Sequence, residues 1–113
     1  MFRRGVLFKM SGKRSRDKGL NFERVVANDL KDIFPDAARQ LEFQVDQAKG
    51  VDIRGTGRFK IQCKNKKSYV SVNTINEVKC DLFEVPILVT KANRLPAMAV
   101  IPWKDLLVLL KRS

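Results

Sequence analysis

Residues 50–64, Gly-Val-Asp-Ile-Arg-Gly-Thr-Gly-Arg-Phe-Lys-Ile-Gln-Cys-Lys, constrain the fold more than any other stretch of this chain. Val51, Ile53, Phe59, Ile61 and Cys63 alternate with Asp52, Arg54, Lys60, Gln62 and Lys64, the period of two that belongs to strands with one buried and one polar face. Gly55-Thr56-Gly57 between them supplies residues that accept positive φ in a three-residue hairpin loop. With Arg54 placed opposite Arg58, Asp52 falls opposite Lys60 and diagonal to Gln62, with Lys64 one step further on. Diagonal neighbours lie roughly 7 Å apart at the backbone, within reach of a shared ion. A slip of one residue would turn all three side chains into the core, so the apolar alternation fixes their face. A carboxylate, an amide oxygen and an ammonium on one face suit a divalent cation beside an activated water, the geometry of a metal-dependent nuclease.

Composition narrows the partners. At 113 residues the chain is long enough for one core, and a homodimer is a natural way to enlarge it. A net charge of +11 points to a polyanion, for which nucleic acid is the usual candidate and acidic lipid an alternative. The first 18 residues carry seven Lys/Arg (Arg3, Arg4, Lys9, Lys13, Arg14, Arg16, Lys18) against Asp17 alone. Residues 1–17 therefore read as a flexible basic arm that touches phosphates without reading sequence, with Met10 as an alternative start, and residues 18–113 as a single domain. A second basic run, Arg54, Arg58, Lys60, Lys64, Lys66 and Lys67, surrounds the hairpin. The apolar run Gly5–Phe8 is too short for a signal peptide or a membrane span, so a cytoplasmic protein of a prokaryotic cell or phage-infected host is expected, with no membrane partner. The chain has no histidine, which removes Ser-His and Cys-His nucleophilic catalysis and any histidine-based zinc site. Cys63 and Cys80 lack metal-binding spacing and read as reduced, buried small hydrophobes.

Periodicity predicts a helix from about Lys18 to Phe34, through Phe22, Val25, Val26, Leu30 and Ile33, stopped by Pro35. A first strand follows over Gln40–Val45 (Leu41, Phe43, Val45), and the hairpin gives the second and third. A helix over Thr74–Phe83, strands at Pro86–Val89 and Ala97–Ile101, and a closing helix over Trp103–Leu110 complete a mixed sheet flanked by helices, in the order α-β-β-β-α-β-β-α. Within the first helix Glu23 shares a stripe with Val26, Leu30 and Ile33, at the face turned towards the sheet. A carboxylate there is either balanced by a basic group or is a further metal ligand beside Asp52 and Gln62.

These residues carry a resemblance. Lys18-Gly19-x-x-x-Glu23-Arg24, Gly50-Val51-Asp52-Ile53 and Ile61-Gln62-Cys63-Lys64 resemble the motifs of the PD-(D/E)XK nuclease superfamily, and within it most of all the archaeal-type Holliday junction resolvases, over residues 16–101. The resemblance implies an α/β restriction-endonuclease-like core and a Mg²⁺-dependent DNA endonuclease acting on branched DNA, with two sites in a homodimer. It implies that Glu23, Asp52, Gln62 and the backbone carbonyl of Cys63 hold Mg²⁺, with Mn²⁺ able to substitute, and that Lys64 orients or helps deprotonate the attacking water and offsets charge on the phosphate. Arg24 and Arg39 become phosphate contacts by the same resemblance, joining Arg14, Arg16, Lys18, Lys60, Lys66 and Lys67 of the basic runs. Two positions depart from the motif. Val51 stands where it has Pro, and Gln62 where it has Asp or Glu, which removes a negative charge from the cation site. A related nuclease acting on duplex, flaps or ends, and a non-catalytic basic binding module, remain as alternatives. The apolar residues Pro96–Ile101 and Leu106–Leu110 are a candidate dimer surface or, equally, a surface that packs on the sheet.

Overall fold

A run of 28 residues without proline, rich in Lys and Arg, forms the first helix, α1, over Arg3–Leu30 in a computed structural model that describes residues 3–41 and 49–113. The expected boundary near Lys18 is therefore corrected, because residues 3–17 continue the same helix. The helix also stops earlier than Phe34. The amides of Ile33 and Phe34 both turn back to the Leu30 carbonyl, at 3.0 and 2.7 Å, and close a turn ahead of Pro35. Ile33, expected on the buried stripe, is exposed as a result.

The sheet contains five strands among the described residues: β1 (Ala38–Arg39), β2 (Ile53–Arg54), β3 (Phe59–Asn65), β4 (Val85–Lys91) and β5 (Met98–Val100), adjacent in that order. β3 and β4 run parallel, while the other neighbours are antiparallel. The protein is thus α/β, with a mixed sheet. The first strand lies at Ala38–Arg39 rather than Gln40–Val45; the Gln40 amide extends its pairing by donating to Asp52 O at 2.8 Å, and Phe43 and Val45 lie outside the described residues. β4 is an inner strand, as its unbroken apolar run Pro86–Val89 requires.

The hairpin keeps its predicted face but not its register. Ile53 pairs with Ile61, and the Asp52 amide donates to Ile61 O at 2.8 Å, so Asp52 does not lie opposite Lys60. The turn causes the shift. Gly55 (φ 79°) lies so close to the Asp36 carbonyl that a Cβ there would come within 2.2 Å of its oxygen. The buried Thr56 hydroxyl donates to Phe59 O at 2.6 Å, while the Phe59 amide donates back to Thr56 O at 3.2 Å. Arg58 is drawn into this turn, and its guanidinium sits 5.0 Å from the Phe59 ring centroid. A displacement of two residues leaves side-chain faces unchanged, which is why the polar trio stays together.

α1 covers one face of the sheet, where Phe22, Val26 and Ala27 pack with Ala37, Ile53, Ile61 and Cys63. The opposite face of β3 and β4 presents Gln62 beside the fully buried Leu88. A 3-10 helix over Val72–Glu77 lies against β4 where an α-helix over Thr74–Phe83 was expected. Ser71 caps it, Val78 leaves it in extended conformation, and the Lys79 amide is taken by Lys49 O at 2.9 Å. The β-branched and asparagine residues Val72, Asn73, Thr74, Ile75 and Asn76 are poor helix formers, and Leu82 and Phe83 are left exposed. Cys80, expected to be buried, is likewise exposed, whereas Cys63 is buried. The last helix, α2 (Trp103–Lys111), starts after Pro102 and contains no buried residue.

Candidate metal and nucleic-acid site

β2 begins only at Ile53, so the edge of β3 beyond Ile61 is open to side chains. Asp52 fills that opening. Its Oδ2 accepts the backbone N–H of Cys63 at 2.8 Å, which fixes the carboxylate against the main chain of the residue whose carbonyl the resemblance makes a ligand. Burial raises the Asp52 pKa; the Cys63 N–H and the Lys64 ammonium oppose the rise, and the Glu77 carboxylate adds to it.

Glu23 reaches the same place from α1. Its carboxyl is pushed up to about 7, first by burial and then by the Asp52 charge, with Arg39 pulling the other way. Burial, then the charges of Asp52 and Glu23, push the Cys63 thiol pKa up. The Asp52 charge adds to burial in raising Glu23, while Arg39 and Lys64 offset the two carboxylates only in part, a setting that a bound cation would relieve.

Gln62 and Lys64 flank Cys63 along β3, and Lys64 acts electrostatically on Asp52. Gln62 is 2 % exposed, and its Nε2 donates to Glu77 Oε1 at 3.0 Å. That bond sets the amide orientation, since a carboxylate oxygen only accepts. Gln62 Oε1 is left buried with no hydrogen-bond partner among the described residues. Lys64 Nζ stands 3.6 Å from the same Glu77 oxygen. Glu77, at the end of the 3-10 helix, thus belongs to the site although nothing in the local sequence marks it. Among the described residues no three acidic or sulfur side chains cluster closely enough to hold a metal alone. The available donors are carboxylate and amide oxygens, the hard ligands that Mg²⁺ and Mn²⁺ take, and the orphaned Gln62 oxygen is one a cation would satisfy. In donor chemistry, the residues fit the ion that the resemblance implies.

The basic residues divide into groups. Arg24 and Arg39 line a hollow of about 250 Å³ between α1 and β1, together with Lys31, which sequence reasoning passed over. Arg24 also donates to Asn21 Oδ1 at 3.3 Å. Arg39 links this hollow to Glu23, whose rise in pKa it opposes. Arg14 and Lys18 border a larger apolar groove of about 740 Å³ floored by Phe22, Val26, Leu30 and Val89. Lys18 donates to Asn93 Oδ1, while Arg16, Lys66 and Lys67 are exposed. Lys60 is not free for phosphate in this conformation, because Glu84 pairs with it at 3.1 Å. No helix among the described residues is long and apolar enough to cross a membrane. Comparisons of the chain with protein-family models, with curated proteins and with solved structures give no match.

Proposed function

We propose that this protein is a divalent-cation-dependent DNA endonuclease with a restriction-endonuclease-like core, acting on four-way junctions as a homodimer. The observation that carries the reading is the convergence at one open strand edge of Asp52, bonded to the Cys63 backbone, with the raised Glu23 carboxyl and the partnerless oxygen of Gln62 beside Lys64. Glu23, Asp52, Gln62 and the Cys63 carbonyl would hold Mg²⁺. When bound, Mg²⁺ supplies positive charge against the phosphodiester and eases the loss of a proton from water. Lys64 donates to the attacking water and to a non-bridging phosphate oxygen, orienting one and offsetting the charge of the other. Arg24, Lys31 and Arg39 grip the flanking phosphates from the hollow beside Glu23.

The junction reading calls for a second copy of the chain, since cutting two strands symmetrically needs two sites. In the single chain Met98, Leu107, Val108 and Leu110 are exposed, so the apolar surface of β5 and α2 is not spent on the protein's own sheet. A panel of four-way junction, flap, duplex and single-stranded DNA, incubated with and without Mg²⁺, tests the proposal. Preferential, Mg²⁺-dependent cleavage of the junction is expected. Preferential cleavage of another member would identify a nuclease of different selectivity, and binding of every member without cleavage would identify a basic binding module.

A further inference from the structure

We infer that Glu77 is a further acidic ligand of the cation site beside Glu23 and Asp52, delivering from the 3-10 helix the charge that position 62 lacks on β3. The inference rests on the nuclease reading of Asp52 and its neighbours, and concerns which residues of this chain complete that site.

Glu77 is held in place from both sides of the peptide chain. Its backbone is fixed by the Ser71-capped 3-10 helix and by the Val78 amide, which donates to Ile75 O at 3.1 Å. Its carbonyl lies against Gly50. That glycine has φ 79°, and a Cβ there would stand 2.6 Å from Glu77 O, so the segment leading into Asp52 is shaped to let Glu77 approach. Gly50 precedes Asp52 by two residues, and the close approach therefore couples the positions of the two acids.

The side chain is equally committed. A single oxygen, Oε1, receives Gln62 Nε2 at 3.0 Å and faces Lys64 Nζ at 3.6 Å, while Oε2 is engaged by neither. The two acids meet the same short stretch of β3: Gln62 and Lys64 contact Glu77, and the Cys63 N–H between them holds Asp52 Oδ2. A purely structural hydrogen bond from Gln62 would leave its own Oε1 unexplained. That oxygen is buried, without a partner among the described residues, and belongs to the residue bonded to Glu77 and next in sequence to Cys63, whose N–H holds Asp52. Gln62 then has two tasks: its amide N–H holds Glu77, and its oxygen is a neutral donor to the ion. The amide also keeps a third carboxylate out of contact with Glu77, which an acid at position 62 would not do without a cation between them.

The proposal is tested by Mn²⁺ titration of the full chain, followed through the electron paramagnetic resonance signal of free Mn²⁺, for the wild type, Asp52→Asn, Glu77→Gln and the double variant Gln62→Glu/Glu77→Gln. The double variant exchanges acid and amide across the same hydrogen bond and so moves the charge without deleting it. Glu77→Gln is expected to weaken Mn²⁺ binding at least about tenfold, and the double variant to restore most of the loss. Glu77 is half-exposed, and thermal unfolding of each variant confirms that it is folded. Wild-type affinity in Glu77→Gln, with binding lost in Asp52→Asn, would overturn the role of Glu77 and leave the nuclease reading standing. Equal weakening in Glu77→Gln and the double variant would also overturn it, reducing Glu77 to a positioning residue for Gln62 and Lys64. A wild-type chain that takes up no Mn²⁺ would overturn both.

Discussion

Asp52→Asn is expected to reduce cleavage of four-way DNA at least about 10³-fold while leaving DNA binding within a few-fold of the wild type. Of the three acids proposed for the site, Asp52 is the one whose carboxylate is held by a main-chain bond among the described residues, from Cys63 N at 2.8 Å. An asparagine can keep that bond through Oδ1, but it then presents an NH₂ group where an oxygen would meet the cation, and the negative charge is gone. The Arg24, Lys31 and Arg39 hollow and the exposed Lys66 and Lys67 are untouched, which is why binding should persist. Fixed-junction gel shifts and single-turnover cleavage measured on the same preparation separate the two effects. Mg²⁺-dependent cleavage at the wild-type rate by this variant would exclude Asp52 from the chemistry.

Glu23→Gln should do two things that rarely go together: raise stability at alkaline pH and abolish cleavage. The Glu23 pKa is raised from 4.5 to about 7 in the folded chain, so the folded state holds the proton more tightly than the unfolded state. The stabilisation that this provides is complete below the unfolded value and is lost as pH rises through about 7. Glutamine cannot ionise and escapes the loss. At pH above about 8 the variant should be more stable by on the order of 1 kcal/mol, a figure reduced for the solvent that screens a half-exposed carboxylate. That corresponds to an increase of roughly 3–6 °C in Tm, while at pH near the unfolded pKa the two proteins should unfold together. Added Mg²⁺ should raise the Tm of the wild type and not of the variant. A variant less stable than the wild type at alkaline pH would mean that Glu23 is a neutralised structural glutamate, with Arg39 as its partner.

The polar trio was legible because alternation alone decides which face a strand residue takes, and a slip of two preserves it. Its register was not. The Asp36 carbonyl, which only Gly55 can approach, and the Thr56 hydroxyl reshape the turn through contacts that local sequence does not display. The amphipathic stripe Phe22, Val26 and Leu30 correctly located the sheet-facing side of α1, and with it Glu23, but helix length was misread because basic residues that suggest a solvated arm are also good helix formers. Ile75, Val78, Leu82 and Phe83 matched a helical spacing whose local propensity was too weak to sustain it beyond Glu77. Glu77 itself was hidden. Its place beside Gln62 depends on a 3-10 helix, a parallel crossover and the close approach at Gly50, none of which a short motif records. The sequence showed only Gln62, a neutral residue where the resemblance has an acid, and nothing that pointed from it to Glu77.

The chemistry stands or falls on the ion. Single-turnover cleavage of an end-labelled four-way junction should be measured as Mg²⁺ is titrated into metal-stripped wild-type protein, with gel shifts on the same mixtures. No cleavage but full binding is expected in chelator, with the cleavage rate rising to saturation as Mg²⁺ is restored. Cleavage undiminished by the chelator, or a bound junction left intact at every Mg²⁺ concentration, would contradict a metal-dependent nuclease centred on Asp52.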